Sequence, residues 1–289
     1  MRNRFTGFIT AVAAAGVGAL IASTTLPLSG QTAAYRAPRT PDGKPDLNGI
    51  WQAINEANYD VEMHMARAAM QLRPGPYGPV PAAAVLPFGA VGSVPPGMGV
   101  TDGPLPYKPE ALAKKKDNQE HWVERDPEIK CYLPGVPRAN YMPYPFQILQ
   151  SQSAVFFAYE YAGAVRNVYL KDPGPAPIDS WMGQSVGHWE GETFVITANG
   201  FNDSSWFDRA GNFHSDALQV TERYTRVAPD VLNYEATITD PNVFTRPWKI
   251  QMPLYRRLEK NAQLMDFKCV EFVEELLYGQ WRKRPLTKD

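Results

Sequence analysis

From Phe146 onward the chain is a succession of short runs rich in β-branched and aromatic residues: "FQILQ", "AVFFAYEYAG", "VRNVYLK", "VGHWE", "TFVITANGF", "ALQVTERYTRV", "VLNYEATIT", "WKIQMPLYRR" and "QLMDFKCV". Such runs favour strands, and the turn-formers between them ("WEGET", "VAPDV", "EKNA") leave links of hairpin length. No other feature restricts the fold so tightly. About nine strands in series form an antiparallel meander, which abolishes its edges by closing on itself. The expected fold is mainly β: a calycin-like (lipocalin-like) barrel over residues 146–289, with a flattened sandwich as the alternative. A C-terminal helix, "EFVEELLY", is expected over one end.

Side chains alternate between the two faces of a strand, so the runs can be sorted. In "ALQVTERYTRV" one face carries Leu218, Val220, Glu222 and Tyr224; in the next run Leu232, Tyr234, Ala236 and Ile238 align. Ile250, Met252 and Leu254 point the same way, and Arg256 continues that face. This register sends one carboxylate, Glu222, into the interior. A bare buried charge is costly, so Glu222 needs a partner or a raised pKa, and Arg256 is the candidate partner. The pair reads either as a structural ion pair or as a functional carboxylate.

The N-terminal half has a different composition. "MRNR", then the uncharged "FITAVAAAGVGALIA", then small residues ending in "GQTAA" follow the order of a secretory signal peptide, assigned to residues 1–34 with cleavage near Ala34. The apolar run is shorter than the ~20 residues of a spanning helix, so no stable membrane span is expected once it is cleaved. The arginines are not adjacent, which leaves a twin-arginine route without support. Residues 35–145 are expected to form an arm with short helices around a Pro- and Gly-rich stretch at 73–106. Proline at that density forbids regular helix and removes ladder donors. "KPEALAKKKDNQEHW" reads as one of the helices, with Pro109 at its start.

Export is expected to place the protein in a periplasm or outside the cell, where the two cysteines, Cys131 and Cys269, most economically form one disulfide. The net charge of −1 excludes the broad basic face of a nucleic-acid binder. There is no GxGxxG, no Walker loop and no GxSxG elbow; "GQSVG" matches the last only loosely and lacks the strand-to-helix setting. No organic cofactor is therefore expected.

The stretch "GHWEGETFVITANGFNDSSWFDRAGNFHSDALQVTERY" concentrates reactive groups. Loops on a rigid sheet are where binding groups gather, although Asn, Asp, Ser and Gly also serve ordinary turns. Candidate acid–base residues are His188, His214, Asp208 and Glu222. Candidate ligand contacts are Trp189, Asp203, Trp206, Arg209, Tyr224 and Arg256. Upstream, in "NYDVEMHMAR", Asp60 and His64 would share a helix face. His64, His188 and His214 would then supply a divalent metal, provided that the arm folds over the barrel.

The motifs "TPDGKPDLNGIW", "KCYLPGVPR", "MPYPFQI", "WMGQSVGHWEGETFVIT" and "DPNVFTRPW", with the loop above, together resemble a family of uncharacterised exported bacterial proteins over nearly the whole mature chain. The resemblance implies export and a single unit from about residue 35 to the end. It transfers no catalytic residue. Relatives often have Asp where this chain has Glu192, at a surface turn.

Two functions of different class follow. One is a barrel binding a small, largely apolar ligand in its interior, with the Pro-rich arm and the long loop around its mouth. The other is an acid–base enzyme (hydrolase, lyase or isomerase), cofactor-independent or metal-assisted, using His188 or His214 with Glu222 or Asp208. Convergence of the histidines and acids in one concave site favours the enzyme; their scattering favours the binder.

Overall fold

The computed structural model describes residues 35–62, 72–73, 80–81, 99–100, 103–273 and 276. Residues 1–34, assigned above to a signal peptide, His64, most of the Pro-rich stretch and half of the segment expected to form a C-terminal helix lie outside the described residues. Contacts gather the chain from Ala37 onward into one unit.

The described residues form twelve strands: β1 (Gly49–Ala53), β2 (Leu72–Arg73), β3 (Val80–Pro81), β4 (Gly99–Val100), β5 (Phe146–Gln150), β6 (Ala154–Tyr159), β7 (Val165–Tyr169), β8 (Gln184–Glu190), β9 (Thr193–Asn199), β10 (Gln219–Ala228), β11 (Val231–Thr239) and β12 (Trp248–Arg256). β1 and β5 to β12 close a ring of nine, because β1 pairs with β5 on one side and with β12 on the other. The fold is a closed, mainly β, calycin-like barrel. β4 adds a short pairing to β12 beyond the end of β1, and β2 pairs with β3 alone.

Three expectations are corrected. The ninth strand is not "QLMDFKCV", which forms no strand, but "GIWQA" from within the 35–145 segment. The arm is therefore part of the barrel. The ring is also not a pure meander: β7 and β8 run parallel, Val168 opposite Ser185 and Tyr169 opposite Val186. Strands that alternate direction around a closed ring of odd number must place one pair in parallel, and the crossover after β7 supplies it. Third, the helical reading of "NYDVEMHMAR" is not met at its start, since residues 57–59 form a turn.

The alternation of faces holds. β10 and β11 bury every second residue, and Trp51, Phe146, Phe157, Phe194, Tyr224, Tyr234 and Trp248 are buried. Gly187 is buried among them: a Cβ there would lie 2.5 Å from the Phe194 ring and 2.8 Å from Val168. The two ends of the barrel differ. One carries tight turns at 151–153, 191–192 and 229–230. The other carries the connections 54–145, 200–218 and 240–247. At this long-loop end run helix α1 (Pro109–Glu120), opened by Pro109 at its first position, and the short α2 (Trp122–Arg125). The disulfide Cys131–Cys269 ties the 54–145 connection to the segment after β12.

Candidate functional site

Inside the barrel, towards the long-loop end, polar side chains from six elements meet. Arg166 on β7 and Glu222 on β10, both buried, form an ion pair through Nη2 and Oε2. The other carboxylate oxygen accepts from Asn140 Nδ2 at 2.7 Å and from the hydroxyls of Tyr224 and Tyr234, each at 2.9 Å. Arg166 Nε donates to Ser185 Oγ at 2.7 Å, and the Tyr159 hydroxyl donates to Asn140 Oδ1 at 3.0 Å. Asn140 reaches this cluster from a one-turn 3-10 helix, Arg138–Asn140, that seats the 126–142 segment in the barrel mouth.

The electrostatics follow from burial. Burial works against the Arg166 charge, yet the Glu222 carboxylate outweighs it and holds the guanidinium above arginine's ordinary range. Burial, then the Glu222 charge, push the Tyr224 and Tyr234 phenols well above theirs, so both remain donors. The guanidinium carbon of Arg166 also lies 5.6 Å from the centre of the Phe157 ring, its cross-strand neighbour. One group is unused: Arg166 Nη1 is buried and has no hydrogen-bond partner among the described residues.

A second buried network holds the mouth together. Arg138 grips Asp126 with both terminal nitrogens (2.8 and 2.9 Å) and Glu128 at 2.7 Å, while its Nε donates to Asn58. Arg209 reaches Glu128 from the 200–218 loop at 2.8 and 3.1 Å and lies over the rings of Tyr59 and Trp122. Burial alone would raise the Glu128 pKa; Arg209 and Arg138 bring it down to about 2.

At the same end, beside the turn after β6, lies a cleft of about 530 Å³ lined by Tyr159, Glu160, Gly163, Val165 and the segment 264–268. Its volume is that of a small-molecule site. Tyr159 belongs both to this lining and to the interior network.

The candidate residues disperse. Glu222 and Tyr224 are inside the barrel, as the register requires. Arg256 is not the partner of Glu222: it is half-buried, with its guanidinium 5.8 Å from the centre of the Trp51 ring, and Arg166 takes its place. His188 points outward from β8, exposed, 3.1 Å from Glu190. His214 is buried in the 200–218 loop; its Nδ1 donates to the Ser215 carbonyl at 2.9 Å, which leaves Nε2 to accept from Ser205 Oγ at 2.7 Å. Burial lowers its pKa, so the ring is neutral.

Asp208 sits apart from His214's partners. It accepts from Val61 N at 2.8 Å and from Asn212 at 2.6 Å, and its pKa is raised to about 7 by burial and then by the charge of Asp60. Asp203 is exposed, Trp206 is a core residue and Trp189 packs half-buried on Phe194. The metal trio is not assembled: His188 and His214 have separate surroundings, and His64 lies outside the described residues. Among the described residues no group of three or more metal-ligating side chains is placed to hold an ion.

Sequence reasoning missed Arg166, Tyr159, Ser185 and Asn140. Arg166 was within reach, because it shares a face of "VRNVYLK" with Val168. Asn140 lies in a turn without periodicity and carries no such signal.

No family model, curated protein or solved structure matches the chain. No helix among the described residues is long and apolar enough to cross a membrane.

Proposed function

We propose that the protein is an exported β-barrel that binds a small, largely apolar molecule in its interior, with Arg166 and Glu222 forming the polar end of the site. The observation that carries this reading is a charged, hydroxyl-rich cluster facing inward within a ring of otherwise apolar side chains. Its fully buried guanidinium retains a free donor among the described residues. In this reading the cleft beside Tyr159, a residue shared with the interior network, is the route of access. Export is supported by the order of charge, apolar run and small residues at the N-terminus, and by a disulfide of the kind that persists in oxidising compartments. The resemblance to exported bacterial proteins points the same way. The acid–base alternative lacks an assembled site, since His188, His214, Asp208 and Glu222 have separate surroundings.

Native mass spectrometry and metal analysis of protein purified from the periplasm of an expression host test the reading. A stoichiometric organic adduct, released on denaturation, is the expected result. A bare polypeptide that takes up nothing from a total metabolite and lipid extract would overturn it. A stoichiometric metal without an organic adduct would transfer support to the acid–base alternative.

A further inference from the structure

The interior cluster also says what kind of molecule fits. Arginine carries its donors in a rigid fork, and here two of the three nitrogens are used: Nε on Ser185 and Nη2 on Glu222. Nη1 is left over in a place closed to bulk solvent. The protons of the surrounding hydroxyls and amide are already committed. Tyr224, Tyr234 and Asn140 all donate to Glu222, and Tyr159, beside Arg166, turns its hydroxyl to Asn140. No acceptor among the described residues lies within hydrogen-bond distance of Nη1, and the geometry leaves it a donor to spare.

Charge narrows the class further. Glu222 already balances Arg166, so a bound anion would leave the interior with an uncompensated negative charge, and a cation would face the guanidinium directly; both are strongly disfavoured in a dry interior. An uncharged oxygen acceptor keeps the balance and forms a charge-assisted hydrogen bond. The Phe157 ring against the guanidinium supplies an apolar wall for the rest of the molecule.

We propose that the ligand is an uncharged molecule with an apolar body that presents one carbonyl oxygen, of a ketone, ester or amide, to Nη1 of Arg166. This rests on the interior-binding reading above. The test uses the disulfide-intact protein and three probe series of matched chain lengths: n-alkyl methyl ketones, n-alkanoates and n-alkanes. Thermal shift and tryptophan fluorescence titration give the affinities. The expected order is ketone first, with the alkanoate and alkane of equal length at least about tenfold weaker, the margin of one charge-assisted hydrogen bond. In R166M/E222Q, which keeps the interior neutral without the guanidinium, the ketone should lose its advantage over the alkane.

Alkanoates that bind as well as ketones, or a ketone preference that survives in R166M/E222Q, would overturn the carbonyl assignment while leaving interior binding intact. Failure of all three series would overturn interior binding itself and assign Nη1 to a buried water. Should the double variant fail to fold, the ranking on the unaltered protein decides alone.

Discussion

The Arg166–Glu222 pair gives the sharpest test of the buried interior network. In E222Q the side chain keeps its length and one carbonyl oxygen. With that oxygen on Asn140, Tyr224 and Tyr234, the new amide NH₂ faces Arg166 Nη2, donor against donor. Flipped, it confronts the Asn140 amide instead. Either way Arg166 remains buried with no counter-charge, and it stays charged because arginine's ordinary range already lies far above neutral pH. Breaking a buried pair from one side costs about 3–5 kcal/mol. At roughly 2–4 °C per kcal/mol for a domain of this size, the melting temperature should fall by about 6–20 °C.

R166M/E222Q removes the stranded charge and lets the glutamine carbonyl serve the three donors, so it should recover most of that loss. The double-mutant cycle is read by urea unfolding of the oxidised protein, followed by tryptophan fluorescence. An E222Q loss below about 1 kcal/mol, or a double variant no more stable than the sum of its singles, would refute the description of this pair as buried and mutually dependent.

Asp208 should impose a pH dependence. Its folded pKa of about 7 exceeds the ordinary 3.8, so the folded state holds a proton that the unfolded chain has released between those values. Its contribution is therefore present below about pH 4 and is lost as the pH rises through about 7. Urea midpoints across that range should fall more steeply for the unaltered protein than for D208N; equal slopes would count against it. H214A should lose about 2–4 kcal/mol in the same assay, because a buried ring and the acceptor of Ser205 both disappear; near-neutral stability would return that loop to the list of functional candidates. G187A forces a methyl against Phe194 and should cost about 1–3 kcal/mol, and an unchanged midpoint would mean that the two strands are not so close. Removing the disulfide in C131S/C269S should cost up to about 4–5 kcal/mol by the chain-entropy estimate, with an unchanged melting temperature the contrary result.

Eight of the nine ring strands are legible because each is a run rich in β-branched and aromatic residues set off by turn formers or a loop. β1 is not. "GIWQA" is short, and Gly49 and Gln52 are poor strand formers; what makes it a strand is a partner on each side, and those partners are far away in sequence. "QLMDFKCV" has the better local pattern, but the ring is closed without it. The same split runs through the site. Glu222 and Tyr224 could be placed by periodicity, and Arg166 by the same argument had it been applied to β7. The face of Arg256 can be read from its own strand, but which strands lie beside it cannot. The 200–218 loop looked reactive because it is rich in turn-forming polar residues. In the fold these groups are taken up by structure, Asp208 holding Asn212 within the loop and Val61 from the 54–145 connection, and His214 holding Ser205.

The closure of the ring through β1 also sets an order of assembly. β1 is the first barrel strand to leave a ribosome or a translocation pore, and its second neighbour, β12, lies about 200 residues behind it. Until β12 has emerged, β1 has an unsatisfied side and the growing sheet has a raw edge, the condition under which chains stick to one another. Contacts so far apart in sequence form slowly. A chain truncated before Trp248 would never escape that condition. Every copy must pass through it, so the yield of folded protein depends on how well that waiting edge is guarded as well as on the final stability of the barrel.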